Sequence, residues 1–236
     1  MDLKFIGRGS AFCPELGNNS AFFVEDKTLF LIDCGENIFE RIKSKKILEN
    51  KQDLYVFITH LHPDHVGSLG SLIFYFYYIY GKRAKIVLAN YKQKCTLKKF
   101  FSYIGVRKEH YEFLKNSDIE NKFKSFSSVE FLETEHTPTL HAFNIVFKTE
   151  EGIVFYSGDS MSLKNLERYY GEKIDKIFLD AQPSSSNVSG HLKISKIETE
   201  VPKELKSRVY LMHLTSQTID EAKEKKFNIV EIFDEK

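Results

Sequence analysis

Cysteine, long apolar runs and net charge are all scarce in this 236-residue sequence, and each shortage excludes a class of protein. The three cysteines, Cys13, Cys34 and Cys95, are odd in number and widely separated, which fits neither a disulfide framework nor a zinc knuckle. No stretch reaches the roughly 18 consecutive apolar residues of a membrane-spanning helix. Met1-Asp2-Leu3-Lys4 lacks the basic start and apolar core of a secretory signal, so the expectation is a cytoplasmic protein with no membrane attachment. Lys and Arg number 34 against 33 Asp and Glu, a formal charge of +1. No broad field attracts nucleic acid, and any basic surface must be local. Linkers, repeats and low-complexity tracts are also missing. With 42% apolar and 28% charged residues the composition is that of a soluble globular chain, and residues 1–236 are expected to form a single domain.

What is present is concentrated in Thr59-His60-Leu61-His62-Pro63-Asp64-His65-Val66-Gly67. Before it, Leu54-Tyr55-Val56-Phe57-Ile58 has the length and composition of a buried strand; after it, Leu69, Leu72, Ile73 and Phe76 recur at helical spacing. The motif therefore sits where a core strand ends and a helix begins, a place where scaffolds present reactive groups. Imidazole and carboxylate are ligands of Zn²⁺. His60 and His62, two apart in an extended segment, point the same way and could grip one ion. Pro63 stops the strand, so Asp64 and His65 follow on a tighter turn and face a second ion beside the first.

Along the rest of the chain, Leu3–Ile6 reads as a strand closed by Gly7-Arg8-Gly9-Ser10, either a plain turn or a substrate-facing loop. Ser20–Val24 and Thr28–Ile32 form a hairpin ending at Asp33, with a helix from Asn37 to about Lys45. Leu72–Tyr80 is apolar or aromatic throughout, expected to pack in the core, with a dimer face or ligand surface as alternatives. Ala84–Ala89 is a strand and Tyr91–Ile104 a helix bearing Lys92, Lys94, Lys98 and Lys99. That basic run reads as a solvated face or a phosphate-binding one. His110 reads as surface. Strands are expected at Val129–Glu133, Ala142–Phe147, Ile153–Tyr156, Ile174–Leu179, Val209–Met212 and Asn228–Phe233, with a helix after Thr218.

Thr-His-Leu-His-Pro-Asp-His resembles the H-x-H-x-D-H signature of the metallo-β-lactamase superfamily, and the chain from Phe5-Ile6-Gly7 to His213 resembles its ribonuclease Z and phosphodiesterase branch. The resemblance implies an α/β fold, a four-layer αββα sandwich in which two mixed β-sheets flanked by helices hold the metals at one edge. It implies that His60, His62 and His136 hold one ion, that Asp64, His65 and His213 hold the other, and that Asp159 of Gly158-Asp159-Ser160 bridges them. His141 is the rival of His136, but it lies inside a segment that must pair as a strand; its other role would be to line the pocket. Asp33 matches a carboxylate that supports the metal loop from behind. Asp180 and His191 match an acid–histidine pair implicated in proton transfer. Asp64, Asp180 and His191 are thus the candidate catalytic residues. His62 stands where di-iron relatives carry Glu, which implies two Zn²⁺ rather than redox iron, with Mn²⁺ or another divalent ion as alternatives.

The function this implies is a di-zinc hydrolase of phosphodiesters, with a small nucleotide or short oligonucleotide as substrate. Hydrolysis of a lactone, thioester or β-lactam is the competing enzymatic reading, because the same hydroxide attacks carbonyls. Trimming of precursor tRNA is disfavoured. The long arm that grips tRNA in ribonuclease Z lies between the third ligand and the bridging Asp, and here two strands fill the interval from His136 to Asp159. A non-enzymatic, metal-stabilised binding module displaying residues 72–80 is the remaining alternative. A homodimer formed through that helix would be its partner.

Overall fold

A computed structural model of the chain describes residues 1–234. Its first half supplies strands β1 (Lys4–Gly7), β2 (Ser20–Glu25), β3 (Thr28–Ile32), β4 (Asp53–Phe57), β5 (Ala84–Val87) and β6 (Tyr111–Leu114). Helices α1 (Ile38–Ser44), α2 (Pro63–Val66), α3 (Leu69–Tyr80) and α4 (Tyr91–Tyr103) lie between them. The second half supplies β7 (Ser128–Thr137), β8 (Leu140–Lys148), β9 (Ile153–Tyr156), β10 (Ile174–Asp180), β11 (Val209–Met212) and β12 (Asn228–Ile229). Its helices are α5 (Lys164–Glu167), α6 (Ile194–Glu200) and α7 (Ser216–Glu224). Each half makes one six-stranded sheet in sequential order. In both, the first three strands run antiparallel and the remaining pairings are parallel.

The period-2 alternation of side chains builds the layers. In β3, Leu29 and Leu31 face outward to the helices while Phe30 and Ile32 face the second sheet; in β4, Leu54 and Val56 face outward while Tyr55 and Phe57 face inward. The second sheet answers with Val154, Tyr156 and Phe178 inward and Ile153, Phe155, Ile177 and Leu179 outward against its own helices. Stripes of apolar side chains from α1, α3 and α4 cover one outer face, and those of α5, α6 and α7 cover the other. This is the four-layer αββα sandwich that the resemblance implies. Its central layer is largely aromatic: Phe23 stacks on Phe30 at 4.5 Å between centroids, and Phe147 meets Phe57 edge-on at 5.3 Å.

Several elements depart from the sequence expectation. β7 runs on to Thr137, so His136 lies within the last residues of a paired strand rather than after it; the register shifts between Thr134 and Thr137. β6, α5 and α6 lie in stretches with no strong periodicity, too short to announce themselves. Only Asn228–Ile229 of the expected last strand pairs with β11. Beyond it the chain crosses to the first sheet, where Ile232 bridges Phe5 and the Phe233 amide donates to the Phe5 carbonyl at 2.7 Å, tying the two sheets together. Leu72–Tyr80 extends back to Leu69 and buries Leu69, Leu72, Ile73 and Phe76, while Tyr78 and Ile79 face solvent. His110 is buried, not superficial: its ring packs on Phe74 and Tyr77, and its Nδ1 accepts the Arg107 amide. The lysines of α4 lie on its solvent side, opposite buried Leu97 and Phe101. Among the described residues no helix is long and apolar enough to cross a membrane.

Candidate metal centre

Parallel strands that share one direction bring their carboxyl ends to one edge of a sheet, and functional groups of α/β folds collect there. Here both sheets do so at the same edge of the sandwich. Asp33 follows β3, Thr59–His65 follow β4, Asp159 follows β9, Asp180 ends β10 and His213 follows β11; His136 comes from the end of β7. Asp33 and His213 leave their strands through left-handed backbone, φ 60° and 58°, a region that Asp and His enter more readily than most residues. His62 is extended, φ −68° and ψ 154°, and Pro63 then starts α2 at the position where its fixed φ suits a helix. That break brings Asp64 and His65 into the second group of side chains, with the His65 ring still 4.0 Å from that of His60. Gly35 makes the close approach that the loop requires: a Cβ there would stand 1.9 Å from the Asp64 carbonyl oxygen.

The side chains converge in two overlapping groups. In the first, His62 Nδ1 lies 2.9 Å from His60 Nε2 and 3.2 Å from His136 Nε2, and both of those Nε2 atoms lie 3.7 Å from Asp159 Oδ2. In the second, His65 Nε2 lies 3.3 Å from Asp64 Oδ2 and from Asp159 Oδ1, and His213 Nε2 lies 3.3 Å from Asp64 Oδ2 and 3.5 Å from Asp159 Oδ2. Asp159 belongs to both groups. Two ligands about 2 Å from one tetrahedral ion stand roughly 3.3 Å apart, which is the spacing these atoms show. His65 Nε2 and Asp159 Oδ1 are buried and find no hydrogen-bond partner in the protein, so a cation fits the donor set better than the protein alone does.

Hydrogen bonds behind the rings fix which nitrogen is free. His65 Nδ1 donates to Asp33 Oδ2 at 2.8 Å, and His136 Nδ1 donates to the Gly190 carbonyl at 2.8 Å. His213 Nδ1 lies 3.4 Å from Asp180 Oδ1. The two hydrogen bonds turn Nε2 of His65 and of His136 toward the shared space, and His213 presents its own Nε2 there as well. Asp33 also accepts the Thr59 amide at 2.9 Å and the Thr59 hydroxyl at 2.7 Å, so one carboxylate orients a ring and anchors the loop. Asp33 does not cap α1: Asn37 stands at the N-cap position of that helix and makes no side-chain capping bond.

Electrostatics sort these groups. Burial, reinforced by His65, holds His60 well below the ordinary histidine value, and burial with His136 lowers His62. Burial alone would raise Asp64 and Asp159, but the neighbouring histidines outweigh it and keep both carboxyls ionised. Burial likewise opposes protonation of His65 and His213. Carboxylates on several sides reverse this, holding His65 well above the usual range and His213 up to about 10. A metal bound here displaces those protons and takes over the compensation of the carboxylates.

His191 extends the cluster at its open side: with Asp159, Asp180 and His213 it forms a third overlapping group of possible ligands, while it belongs to neither of the first two. Its Nδ1 lies 2.7 Å from Asp180 Oδ2 and 4.0 Å from Asp159 Oδ2, and its ring stacks on His213 at 4.9 Å. Burial would lower its pKa, and Asp180 raises it instead. Asp180 Oδ2 also accepts the Ser160 amide at 3.1 Å, which fixes the carboxylate between His191 and His213. His141 is elsewhere: it lies exposed on β8, bonded to Glu133, so it does not line the cluster. The loop-facing contacts of Thr59 and of the Gly190 carbonyl were not legible in the sequence, since neither residue type signals a site.

A His and Asp cluster split about a shared Asp, at the strand ends of an αββα sandwich, places the molecule in the class of metallo-β-lactamase fold proteins. Solved structures agree on the fold. The metallo-β-lactamase fold protein YhfI from Bacillus subtilis matches with a TM-score of 0.70 and 17% identity, covering 94% of this chain and 91% of its own. A diphosphatase of the PhnP family matches at 0.71 and 20%, covering 97% and 92%. Zn²⁺-bound PqqB from Methylobacterium extorquens matches at 0.70 and 10%, covering 98% of each. Within that class the chain belongs to the family described as anti-Pycsar protein Apyc1, whose model matches residues 1–232. Anti-Pycsar protein Apyc1 of Paenibacillus harenae is 27% identical over 229 residues, 94% of this chain and 92% of the relative. That of Bacillus phage BSP38 is 27% identical over 229 residues, 89% of this chain and 88% of the relative.

Proposed function

We propose that the protein is a metal-dependent phosphodiesterase acting on a small nucleotide. His60, His62 and His136 would hold one divalent ion and Asp64, His65 and His213 a second, with Asp159 shared; the imidazole and carboxylate set suits Zn²⁺. Two such ions, when bound, would supply a hydroxide nucleophile near neutral pH and would offset the charge on the phosphate oxygens. The observation that carries the reading is His191, a partly exposed imidazole held by Asp180 at 2.7 Å, beside the shared Asp159 yet outside both ligand groups. An imidazole so held delivers a proton to a leaving alkoxide, which a phosphodiester needs and a p-nitrophenolate does not.

The intervals between elements support a small substrate. Between His136 and Asp159 the chain makes the end of β7, β8, β9 and two short turns, so nothing there reaches out to a folded RNA. The basic side chains fall in short separate runs, Lys92, Lys94, Lys98 and Lys99 on α4 and Arg41, Lys43, Lys45 and Lys46 on and after α1, and the formal charge of +1 leaves no broad basic surface for a large nucleic acid.

The test is zinc analysis coupled to turnover of cyclic nucleotides, short oligonucleotides, a 3′-extended tRNA, a homoserine lactone, a glutathione thioester and nitrocefin. The expected result is turnover of the small nucleotides with bound metal. Lactone or thioester turnover without phosphodiester turnover overturns the reading, as does salt-sensitive, site-specific trimming of the tRNA.

A further inference from the structure

Three large apolar side chains are exposed on separate loops that all adjoin the histidine and aspartate cluster: Phe12 at 94%, Val188 at 65% and Met161 at 37%. The loop of Phe12 is fastened beside His213. The Ser10 amide donates to the Leu214 carbonyl at 3.0 Å, and the Leu214 amide donates back to the Arg8 carbonyl at 2.7 Å. Phe12 is the third residue of a four-residue turn closed by the Cys13 amide on the Ser10 carbonyl at 3.0 Å.

The neck of this loop is narrow. The Gly9 amide donates to Gly17 at 2.7 Å, and a Cβ on Gly9 would stand 2.6 Å from the Cys13 carbonyl oxygen. Arg41 of α1 donates to the Glu15 carbonyl at 3.1 Å and the Pro14 carbonyl at 3.4 Å, pinning the far side. A loop held at this many points fixes the backbone from which the phenyl ring projects, which lowers the entropic cost of placing the ring on a ligand.

The other two residues have similar anchors. Met161 follows Asp159 by two residues, and its amide donates to the carbonyl of Glu135, the neighbour of His136, at 2.9 Å. Val188 precedes Gly190, whose carbonyl holds His136, and the Val188 carbonyl accepts from Gln182 Nε2 at 3.0 Å. The short segments Ser10–Cys13 and Ser184–Gly190 contain no charged residue. They offer no cation to further phosphates along a strand, whereas an exposed aromatic ring offers a face to a base.

We propose that Phe12 is a specificity-determining residue on which the nucleobase of the substrate stacks, with Met161 and Val188 completing an apolar rim. The proposal rests on the phosphodiesterase reading. Base–aromatic stacking changes affinity by roughly five- to a hundredfold.

The experiment compares wild type, Phe12→Ala and Phe12→Trp on 3′,5′-cyclic nucleotides and on a ribose 3′,5′-cyclic phosphate that lacks the base, with solution mass measured for each variant. The expected result is that Phe12→Ala raises KM for the nucleotides about tenfold, leaves their kcat within about twofold, and leaves the base-less diester unaffected. Phe12→Trp restores the nucleotide KM. An equal loss on both diesters, no change on either, or a change in oligomeric mass caused by Phe12→Ala would overturn the stacking contact while leaving the phosphodiesterase reading intact. Wild-type protein loaded with metal that turns over neither diester would overturn both.

Discussion

Single side chains divide here into those that would touch an ion, those that aim them and one that stands ready with a proton. Asp33 is of the second kind, since it holds His65 by its Nδ1 and the loop by Thr59. Asp33→Asn is expected to weaken metal binding by about 10- to 100-fold, because partners behind a ligand contribute on that scale. Competition against a chromogenic chelator measures it, with circular dichroism to show the fold retained. His191 is of the third kind. His191→Ala should lower kcat on a diester with an alkoxide leaving group by about 10²- to 10⁴-fold. It should cost far less on bis(p-nitrophenyl) phosphate, whose leaving group needs no proton, and the bound metal content should be unchanged. Equal losses on both esters, or loss of metal, would remove His191 from the proton-donor role. At this scale the motif from His60 to His65 was plain in the sequence, because strand and turn geometry are local. The contacts of Gly190 with His136, of Thr59 with Asp33 and of Asp180 with His213 were not, because they join residues 26 to 54 positions apart in the chain.

Elements position the site by where they end. β4 carries Phe57 in the aromatic layer and, three residues later, His60 in the cluster, so packing between the sheets fixes the root of the metal loop. Phe57 is fully buried, and Phe57→Ala is expected to cost about 3–5 kcal/mol of stability. α7 begins just past His213, and its Thr215 Oγ1 accepts the Thr218 amide at 3.2 Å. Thr215→Ala should cost about 1 kcal/mol in urea unfolding without altering metal stoichiometry, since the cap serves the helix and not the ligand. The long periodic elements, α3, α4 and the apolar strands, were readable because their patterns repeat several times. β6, α5 and α6 were not, because four to seven residues repeat a pattern too few times to stand above chance. His110 was misread for a related reason: its burial comes from rings on α3, 32 to 36 residues earlier, which its own neighbours in sequence do not reveal.

For the molecule as a whole, two sheets contribute ligands to one edge, so bound metal should stiffen the contact between halves. Stripping the ions leaves buried carboxylates and imidazoles to compensate one another. Metal at 1,000 times its dissociation constant should add about 4 kcal/mol to stability, read as a chelator-dependent fall in melting temperature. A separate acid-side effect comes from Glu25 at the β2–β3 turn. Burial acts to raise its pKa, but the Ser125 hydroxyl and the Lys124 and Ser125 amides together lower it. Its contribution is therefore present above the ordinary carboxylate value and lost as pH falls through the lowered one. Glu25→Gln should flatten the acid limb of stability against pH below about 4.5 and leave neutral-pH activity unchanged; an unaltered acid limb would count against the tether.

The sequence by itself determined the alternation that makes the strands two-faced, the order in which strands and helices come, and the loop that holds His60, His62, Asp64 and His65, because each depends only on neighbours a few residues apart. That periodicity, together with a motif whose likeness extends over most of the chain, also fixed the fold class. The resemblance already named His136, Asp159, Asp180, His191 and His213 as companions of that loop; only the tertiary structure decided the distances at which they meet, which nitrogen of each ring faces the shared space, and that His141 does not line it. It decided too that Phe12 stands exposed beside the cluster. Those outcomes depend on packing one sheet against another, which brings together side chains up to 149 positions apart, and no local pattern encodes a distance of that kind.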